Sequence, residues 1–274
     1  MEEKILPNPP ISMTQRCEDF FRLFEEKPTI FKYENLITDL IANKENAILI
    51  LYDDLVIFDP LLAELLRKDP VRIIEHFTKA LKNILMFRGE HQASKDDYFI
   101  YIDSNDQDGS IFVPLEDISS RRLSQFIQSY GKVQEVREKQ FRMSMGVFEC
   151  LSCGSKIEIP QSTSLVKRPF FCPNRKCNAK RKESFLSLKE IFHLRPDLSS
   201  YYDYQMIKLQ SSFNHNLKVM ATLKNALVGE CDAGDRILFT GIVTADYFYG
   251  KSGMNVNLFN PVIEINYFRK KKNI

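Results

Sequence analysis

The chain contains 274 residues with a formal net charge of +2, and 44% of its residues are apolar and 27% charged. That length suits two domains with buried cores. The lack of a long apolar run excludes a transmembrane helix, and the start Met1-Glu2-Glu3-Lys4 lacks the apolar segment of a secretory signal. The small net charge conceals a division between residues 1–110, which carry −8, and residues 111–274, which carry +10.

The basic part of the chain therefore has two interpretations. It is a candidate for binding a polyanion, or it is a solvated surface that happens to be basic. Before it, residues 14–26 have the pattern of a short amphipathic helix that Pro28 would end. The apolar run 47–52 is short and follows a polar turn, so it predicts a buried strand.

Two further helix starts share the same chemistry. Asp59-Pro60 and Asp69-Pro70 each place an N-capping carboxylate before a proline at the first helical position. They predict helices over 60–67 and 70–87. The second helix has one stripe that we expect to face the core, made of Val71, Ile74, Phe77, Leu81, Ile84 and Leu85.

The acidic part shows no catalytic pattern. His76 has no partner ligand in its helix, so we interpret it as a surface or core histidine. Residues 103–110 are acidic and rich in turn formers, but they lack the spacing and the bidentate Glu of an EF-hand loop. We interpret them as a connecting loop.

From about residue 112 the pattern changes to strands. Apolar residues alternate with polar ones, which is typical of half-buried strands in a small barrel or sandwich. The strands are predicted over 141–148, 237–243, 254–258 and 262–267.

Four of the six cysteines have the spacing of a structural zinc site, Cys150-x2-Cys153-x18-Cys172-x4-Cys177. Each close pair can present two thiolates to one ion, and the segment between the pairs returns to complete a tetrahedron. Without a secretory signal the thiols should stay reduced, which favours metal over disulfides. Four cysteine ligands leave no open position, so we expect structural rather than catalytic zinc.

The remaining two cysteines, Cys17 and Cys231, have no close partner, and core packing or simple exposure is expected for both. The zinc segment itself is basic. It could be a solvated surface, or it could contact nucleic-acid phosphates or a neighbouring subunit. Its cations fall in sixteen residues without an acid: Lys167, Arg168, Arg175, Lys176, Lys180, Arg181 and Lys182.

No nucleotide-binding or catalytic motif is present in the sequence. Gly250-Lys251-Ser252-Gly253 has the end of a P-loop, but Ala245 stands where the first glycine should be. The stretch also lies between two strand patterns, so we interpret it as the tip of a β-hairpin.

Several segments together resemble the N-terminal region of the minichromosome maintenance (MCM) replicative helicases, most of all the archaeal form. Their order and spacing over about residues 12–268 carry the resemblance. The matching segments are the helical-domain signature at 51–66, the first barrel strands at 113–133, the cysteine quartet, the stretch 202–210, Leu227-Val228 and the strand 234–241.

The resemblance implies an α+β, mostly β fold, in which an N-terminal helical domain precedes an oligonucleotide-binding (OB) barrel with an inserted zinc-binding module. It also implies a basic linker to an ATPase domain that this sequence lacks. We therefore expect part of a longer ATP-dependent helicase, or a natural protein that lost its motor. The implied ranges are 1–105 helical, 106–147 OB, 148–183 zinc insertion, 184–268 OB with a hairpin at about 244–258, and 269–274 linker.

The resemblance further implies a hexameric ring, single or double, that encircles single- or double-stranded DNA and meets other replication factors but no membrane. One structural Zn²⁺ per chain is implied, while ATP and Mg²⁺ belong to the missing domain. The implied compartment is the nucleoid-containing cytoplasm in an archaeon or the nucleus in a eukaryote. The implied DNA contacts are Lys251 at the hairpin tip, Lys132 and Arg137, and Arg121 and Arg122 just upstream.

Two other functions stay open on the sequence. A stand-alone zinc-containing OB-fold protein would bind single-stranded DNA without forming a ring. A zinc hydrolase or nuclease is disfavoured by the closed cysteine set and by the lack of a paired carboxylate or histidine cluster.

Overall fold

The computed structural model describes residues 12–94, 97–105, 109–161, 165–177, 191–211, 214, 216–249 and 255–271. Within these ranges the chain forms two compact units. The first comprises residues up to 136 together with 207–223 and 231–274, and the second comprises 137–206 and 224–230. None of the helices in the described ranges is long and apolar enough to cross a membrane.

Helices and two small strand pairs make up the N-terminal part of the first unit. In chain order the elements are α1 (Met13–Leu23), β1 (Glu25–Lys27), β2 (Ile30–Phe31), α2 (Lys32–Asn43), β3 (Ala47–Leu51), α3 (Tyr52–Phe58), α4 (Pro60–Lys68), α5 (Pro70–Phe87), a 3₁₀ turn (His91–Ser94) and β4 (Phe99–Asp103). Strands β1 and β2 pair antiparallel, and β3 pairs in parallel with β4.

The helix starts follow the predicted chemistry in part. The Asp59 carboxylate accepts a hydrogen bond from the Leu62 N–H at 3.1 Å, as expected of an N-cap. Asp69 occupies the same position before α5, but its side chain makes no capping bond. Helix α1 ends at Leu23 instead of 26, because Phe24 is extended and the next residues pair as strand β1.

The core of this part is an aromatic cluster. The Phe20 ring lies 4.6 Å from that of Tyr33 and 5.9 Å from that of Phe77, centroid to centroid, and all three side chains are fully buried. Val71, expected in the core stripe of α5, is 58% exposed. It lies two residues from buried Ile73, which is about 200° around a helix, so the prediction was wrong for this residue.

The remaining strands of the first unit form the barrel. The strands are β5 (Phe126–Val136), β9 (Ser200–Gln210), β10 (Lys218–Lys224), β11 (Arg236–Tyr249) and β12 (Asn255–Lys270), with 3₁₀ turns at Leu115–Asp117, Ser120–Arg122 and Asn225–Leu227. Their order in the sheet is β10-β12-β11-β5-β9, and β10 also pairs with β9, which closes the five strands into a ring. Strand β10 pairs with β12 in parallel, whereas β12 with β11, β11 with β5 and β5 with β9 pair antiparallel.

Strand β12 corrects one prediction. The two strands expected at 254–258 and 262–267 are a single strand that passes through Pro261. Proline has no N–H to donate, so it fits a strand only where no partner needs that bond. On the β10 side of β12 the pairing begins at Val262, just after the proline.

The barrel also holds strand β4 through side chains. Gln128 on β5 donates its amide to the Ser104 carbonyl at 2.7 Å, and Arg269 on β12 donates to the same carbonyl at 2.8 Å. The Thr240 hydroxyl on β11 donates to the Ile102 carbonyl. Thr240 therefore occupies a backbone acceptor of β4, and the other two side chains bind the residue that directly follows the strand.

The second unit is a smaller sheet built on β6 (Gln140–Cys150). Strands β7 (Lys156–Pro160), β8 (Phe192–Leu194) and the first half of β9 all pair with β6 in the antiparallel sense. Phe148 and Phe192 are buried beside Cys150 and Cys177. The core of this unit therefore lies directly against two of the four predicted zinc ligands.

Candidate metal centre and nucleic-acid interface

The four cysteines of the predicted zinc site converge. Their Sγ atoms all lie within 4.8 Å of one another. The Sγ atoms of Cys150 and Cys177 are 3.7 Å apart, and those of Cys153 and Cys172 are 3.5 Å apart. Cys150 and Cys177 are buried, whereas Cys153 is exposed, so the cluster lies at the edge of the core.

A tight turn after β6 positions the first two thiols. The Gly154 N–H donates to the Cys150 carbonyl at 2.7 Å, and the Cys150 N–H donates to the Ser155 carbonyl at 2.9 Å. Gly154 has φ of +70°, a conformation that residues with a side chain rarely adopt. The turn therefore needs glycine directly after Cys153, which the sequence supplies.

The second pair is positioned by a shorter loop. The Cys177 N–H donates to the Asn174 carbonyl at 2.9 Å, and the Asn174 side chain accepts from the Lys176 N–H at 3.1 Å. This is an Asx turn, which returns the chain so that Cys177 faces the thiols of the first turn.

The donor set fits zinc. A tetrahedral ion with Zn–S bonds of about 2.3 Å requires sulfur atoms roughly 3.8 Å apart, close to the separations found here. Hydrogen bonds from Ser155 lower the pKa of the Cys153 thiol to about 6, which favours the thiolate that binds metal. The cluster could thus hold one metal ion, with all four ligands from the protein.

Ser155 is a residue that the spacing of the cysteines did not reveal. Its hydroxyl lies 3.2 Å from the Cys153 Sγ. The signal in the sequence is a hydroxyl two residues after a ligand, and that is too common to be diagnostic. The other two cysteines, Cys17 and Cys231, are buried elsewhere as core residues, and burial raises the pKa of Cys17 to about 12.

The cations beside the metal centre do not act as one group. The Arg168 guanidinium lies 5.8 Å from the Phe148 ring centroid and donates to the Phe192 carbonyl at 3.3 Å, which gives it a packing role. Lys167, Arg175 and Lys176 are exposed. The remaining predicted cations, Lys180, Arg181 and Lys182, lie outside the described residues.

The predicted DNA contacts fall in different places. Lys132 is exposed on β5 of the barrel, opposite Gln210 and Arg236. Arg121 and Arg122 lie in a 3₁₀ turn before β5, where Arg122 donates to the Gln125 side chain at 3.2 Å.

Arg137 follows β5 in the second unit; it is exposed, and its N–H donates to the Met206 carbonyl at 2.9 Å. Lys251 lies outside the described residues. The flanking strands β11 and β12 pair antiparallel as far as Tyr249 and Asn255, in agreement with a hairpin at this position.

Comparison with known proteins accounts for most of the chain. Residues 14–104 match the MCM N-terminal domain and residues 114–247 match the MCM OB domain. The zygotic DNA replication licensing factor mcm6 of Xenopus tropicalis is 22% identical over 241 residues, which cover 84% of this chain and 27% of that protein. The DNA replication licensing factor Mcm5 of Drosophila melanogaster is 27% identical over 206 residues, covering 73% of this chain and 27% of its own length.

The fold has a counterpart among solved structures. The crystal structure of the N-terminal domain of an archaeal MCM matches with a TM-score of 0.74 and 18% identity, over 95% of this chain and 98% of that one. The fold class expected from the resemblance is confirmed. The chain spans about a quarter of the length of the curated relatives it matches.

Proposed function

Because the chain belongs to the minichromosome maintenance family, whose N-terminal and OB domains it contains, we propose that it is the DNA-binding and ring-assembly module of a replicative helicase. It contacts DNA phosphates. ATP hydrolysis and its Mg²⁺ belong to a separate ATPase domain, and the domain limits given above are part of this proposal.

The closed five-stranded barrel is the observation that carries the DNA-binding role. OB barrels bind nucleic acid on the outer face of their strands and in the adjoining loops. Lys132 presents an exposed ammonium group on such a strand. Contacts of this kind neutralise phosphates without reading sequence, so binding should weaken steeply with salt.

The hairpin between β11 and β12 is the second part of the proposed interface. The strands pair to Tyr249 and Asn255, and Lys251 belongs to the sequence between them, outside the described residues. A cation at the end of a two-stranded projection can enter a channel through which DNA passes. We assign Arg121 and Arg122 to the same interface, and Arg137, which belongs to the second unit, is proposed separately as a DNA contact.

The cysteine cluster has a folding role in this proposal. One zinc ion per chain would be held by Cys150, Cys153, Cys172 and Cys177. The ion would link the turn after β6 to the later loop that carries Cys172 and Cys177. The ion would supply a structural cross-link and no open coordination position. Its removal should unfold this unit.

Assembly into a hexameric ring separates this proposal from its alternative, a stand-alone OB-fold protein that binds single-stranded DNA. Analytical ultracentrifugation with and without DNA discriminates between them. We expect a species of several subunits, single ring or double ring, that DNA stabilises. A chain that stays monomeric at micromolar concentration in both conditions would favour the alternative.

A further inference from the structure

Three cations lie side by side at one end of the barrel. Lys132 on β5 is directly opposite Arg236 on β11. The Lys271 N–H donates to the Arg236 carbonyl at 2.8 Å, which continues the β11–β12 register and puts Lys271 opposite Arg236. Gln210 on β9 is opposite Lys132 on the other side.

These four residues form one row across four strands. Directly opposed residues in antiparallel strands project from the same face of the sheet. Adjacent strands are about 4.8 Å apart, so the row is roughly 14 Å wide. It offers an amide, two ammonium groups and a guanidinium, all of which are hydrogen-bond donors to phosphate oxygens.

Two of the three cations in the row have no acidic partner among the described residues. Lys132 and Arg236 are exposed, and neither forms an ion pair in the part of the chain that the structure describes. Like charges directly opposite each other destabilise a sheet. Three carboxylates on or beside these strands pair with other cations: Asp235 with Lys270 at 2.9 Å, Glu135 with Lys208 at 2.8 Å, and Asp103 with Arg269 at 3.0 Å.

Two residues along these strands, the same face of the barrel is partly buried. Leu238 on β11 lies opposite Tyr130 on β5 and opposite Arg269 on β12. Leu238 is buried, and the Arg269 guanidinium donates to the Ser104 carbonyl. The Lys271 ammonium lies 5.0 Å from the centroid of the Tyr130 ring, which restricts its position. The cation row therefore lies beside a partly buried region of the same face of the barrel.

We propose that Lys132, Arg236 and Lys271 form a phosphate-binding row for single-stranded DNA. This inference rests on the proposed function and adds to it two residues, Arg236 and Lys271, that only the strand register brings beside Lys132. Because the row crosses the strands, a bound strand would run across the barrel end with successive phosphates on neighbouring β-strands.

The test compares two double variants with equal loss of charge. Arg236→Gln with Lys271→Gln removes two cations from the row. Arg72→Gln with Lys79→Gln removes an arginine and a lysine that are exposed on helix α5. Fluorescence anisotropy with labelled oligo(dT) measures the dissociation constant over a series of salt concentrations, and circular dichroism checks that each variant is folded.

We expect the row variant to bind more weakly, with a slope of log K against log salt smaller by about 1.4, since each lost contact removes about 0.7 for a single strand. The helix variant should keep the parent slope. The exchange Arg236→Lys with Lys271→Arg conserves charge and should also keep it, which separates a charge effect from a packing effect.

The failures are distinguishable. If the parent binds oligo(dT) and the row variant has the same slope as the helix variant, the row does not bind DNA and the proposed function stands without it. If the parent shows no salt-dependent binding, both the row and the proposed DNA-binding function are overturned.

Discussion

Asn266 on β12 and Ile102 on β4 are joined although 164 residues separate them. The Asn266 Oδ1 atom accepts from the Ile102 N–H at 2.7 Å, and its Nδ2 group donates to the Ile100 carbonyl at 3.0 Å. The amide thus occupies one donor and one acceptor of β4, as a neighbouring strand would. It joins the strand pair of the helical part to the barrel.

Removing this amide should destabilise the first unit. Asn266→Ala leaves a partly buried N–H and carbonyl of β4 unpaired, which costs about 1–3 kcal/mol. Chemical denaturation measures the loss. Asn260→Ala, on an exposed position of the same strand, should change stability by less than about 0.5 kcal/mol. Equal effects of the two substitutions would show that the amide bridge carries no stability.

Cys172→Ser should lower both zinc content and thermal stability. It removes one of four thiolates from a closed site, so the remaining three bind zinc far more weakly. Atomic absorption should give one zinc per parent chain and clearly less for the variant. A chelator should lower the melting temperature of the parent but not that of the variant. Cys231→Ala is the control, because that cysteine lies outside the cluster. A variant with full zinc content would refute the assignment.

The turn before β11 should make stability depend on pH. The Asp232 N–H and then Lys270 hold the pKa of the Asp235 carboxyl below its ordinary value. Since the folded pKa is lower than the unfolded one, the contribution is present above the unfolded value and is lost as pH falls through the folded value.

Asp235→Asn tests this linkage. The melting temperature of the parent should exceed that of the variant at pH 7, and the difference should shrink as pH falls below about 4. Asp39→Asn, on the exposed face of α2, should show no such change. A difference between parent and Asp235→Asn that is the same at pH 7 and pH 3 would contradict the linkage.

Lys251→Ala should weaken binding to single-stranded DNA at low salt. It removes the cation at the hairpin tip, so the affinity should fall several-fold and the salt slope by about 0.7. Lys79→Ala on α5 is the matched control and should bind like the parent. If Lys251→Ala also binds like the parent at low salt, the hairpin does not touch DNA.

Local signals carried most of what the sequence could predict. Asp59-Pro60 marks a helix start through contacts within one turn, and α4 begins there. The cysteine spacing identified four residues that the structure brings within 4.8 Å. The helix start depends only on residues within one turn. The cysteine spacing is typical of few sites other than a metal site.

Long-range register was not accessible in the same way. The contact of Asn266 with β4 and the alignment of Arg236 with Lys132 depend on how distant strands pair. Hydropathy alternation gives the face of a residue but not its neighbour on the next strand. The prediction of two strands in place of β12 has the same origin. A proline usually ends a strand, and Pro261 is tolerated here because the pairing of β12 with β10 begins only at Val262.

The side-chain attachment of β4 constrains how the chain folds during its synthesis. Strand β4 emerges from the ribosome with Ile100 and Ile102 unpaired on one edge, and their partners Thr240 and Asn266 follow 138 to 166 residues later. Domains usually fold in the order of their synthesis. Here the free edge of β4 stays without its side-chain partners until β12, the last barrel strand, has been synthesised. Such a contact order predicts slow final docking and a period in which a chaperone would protect that edge.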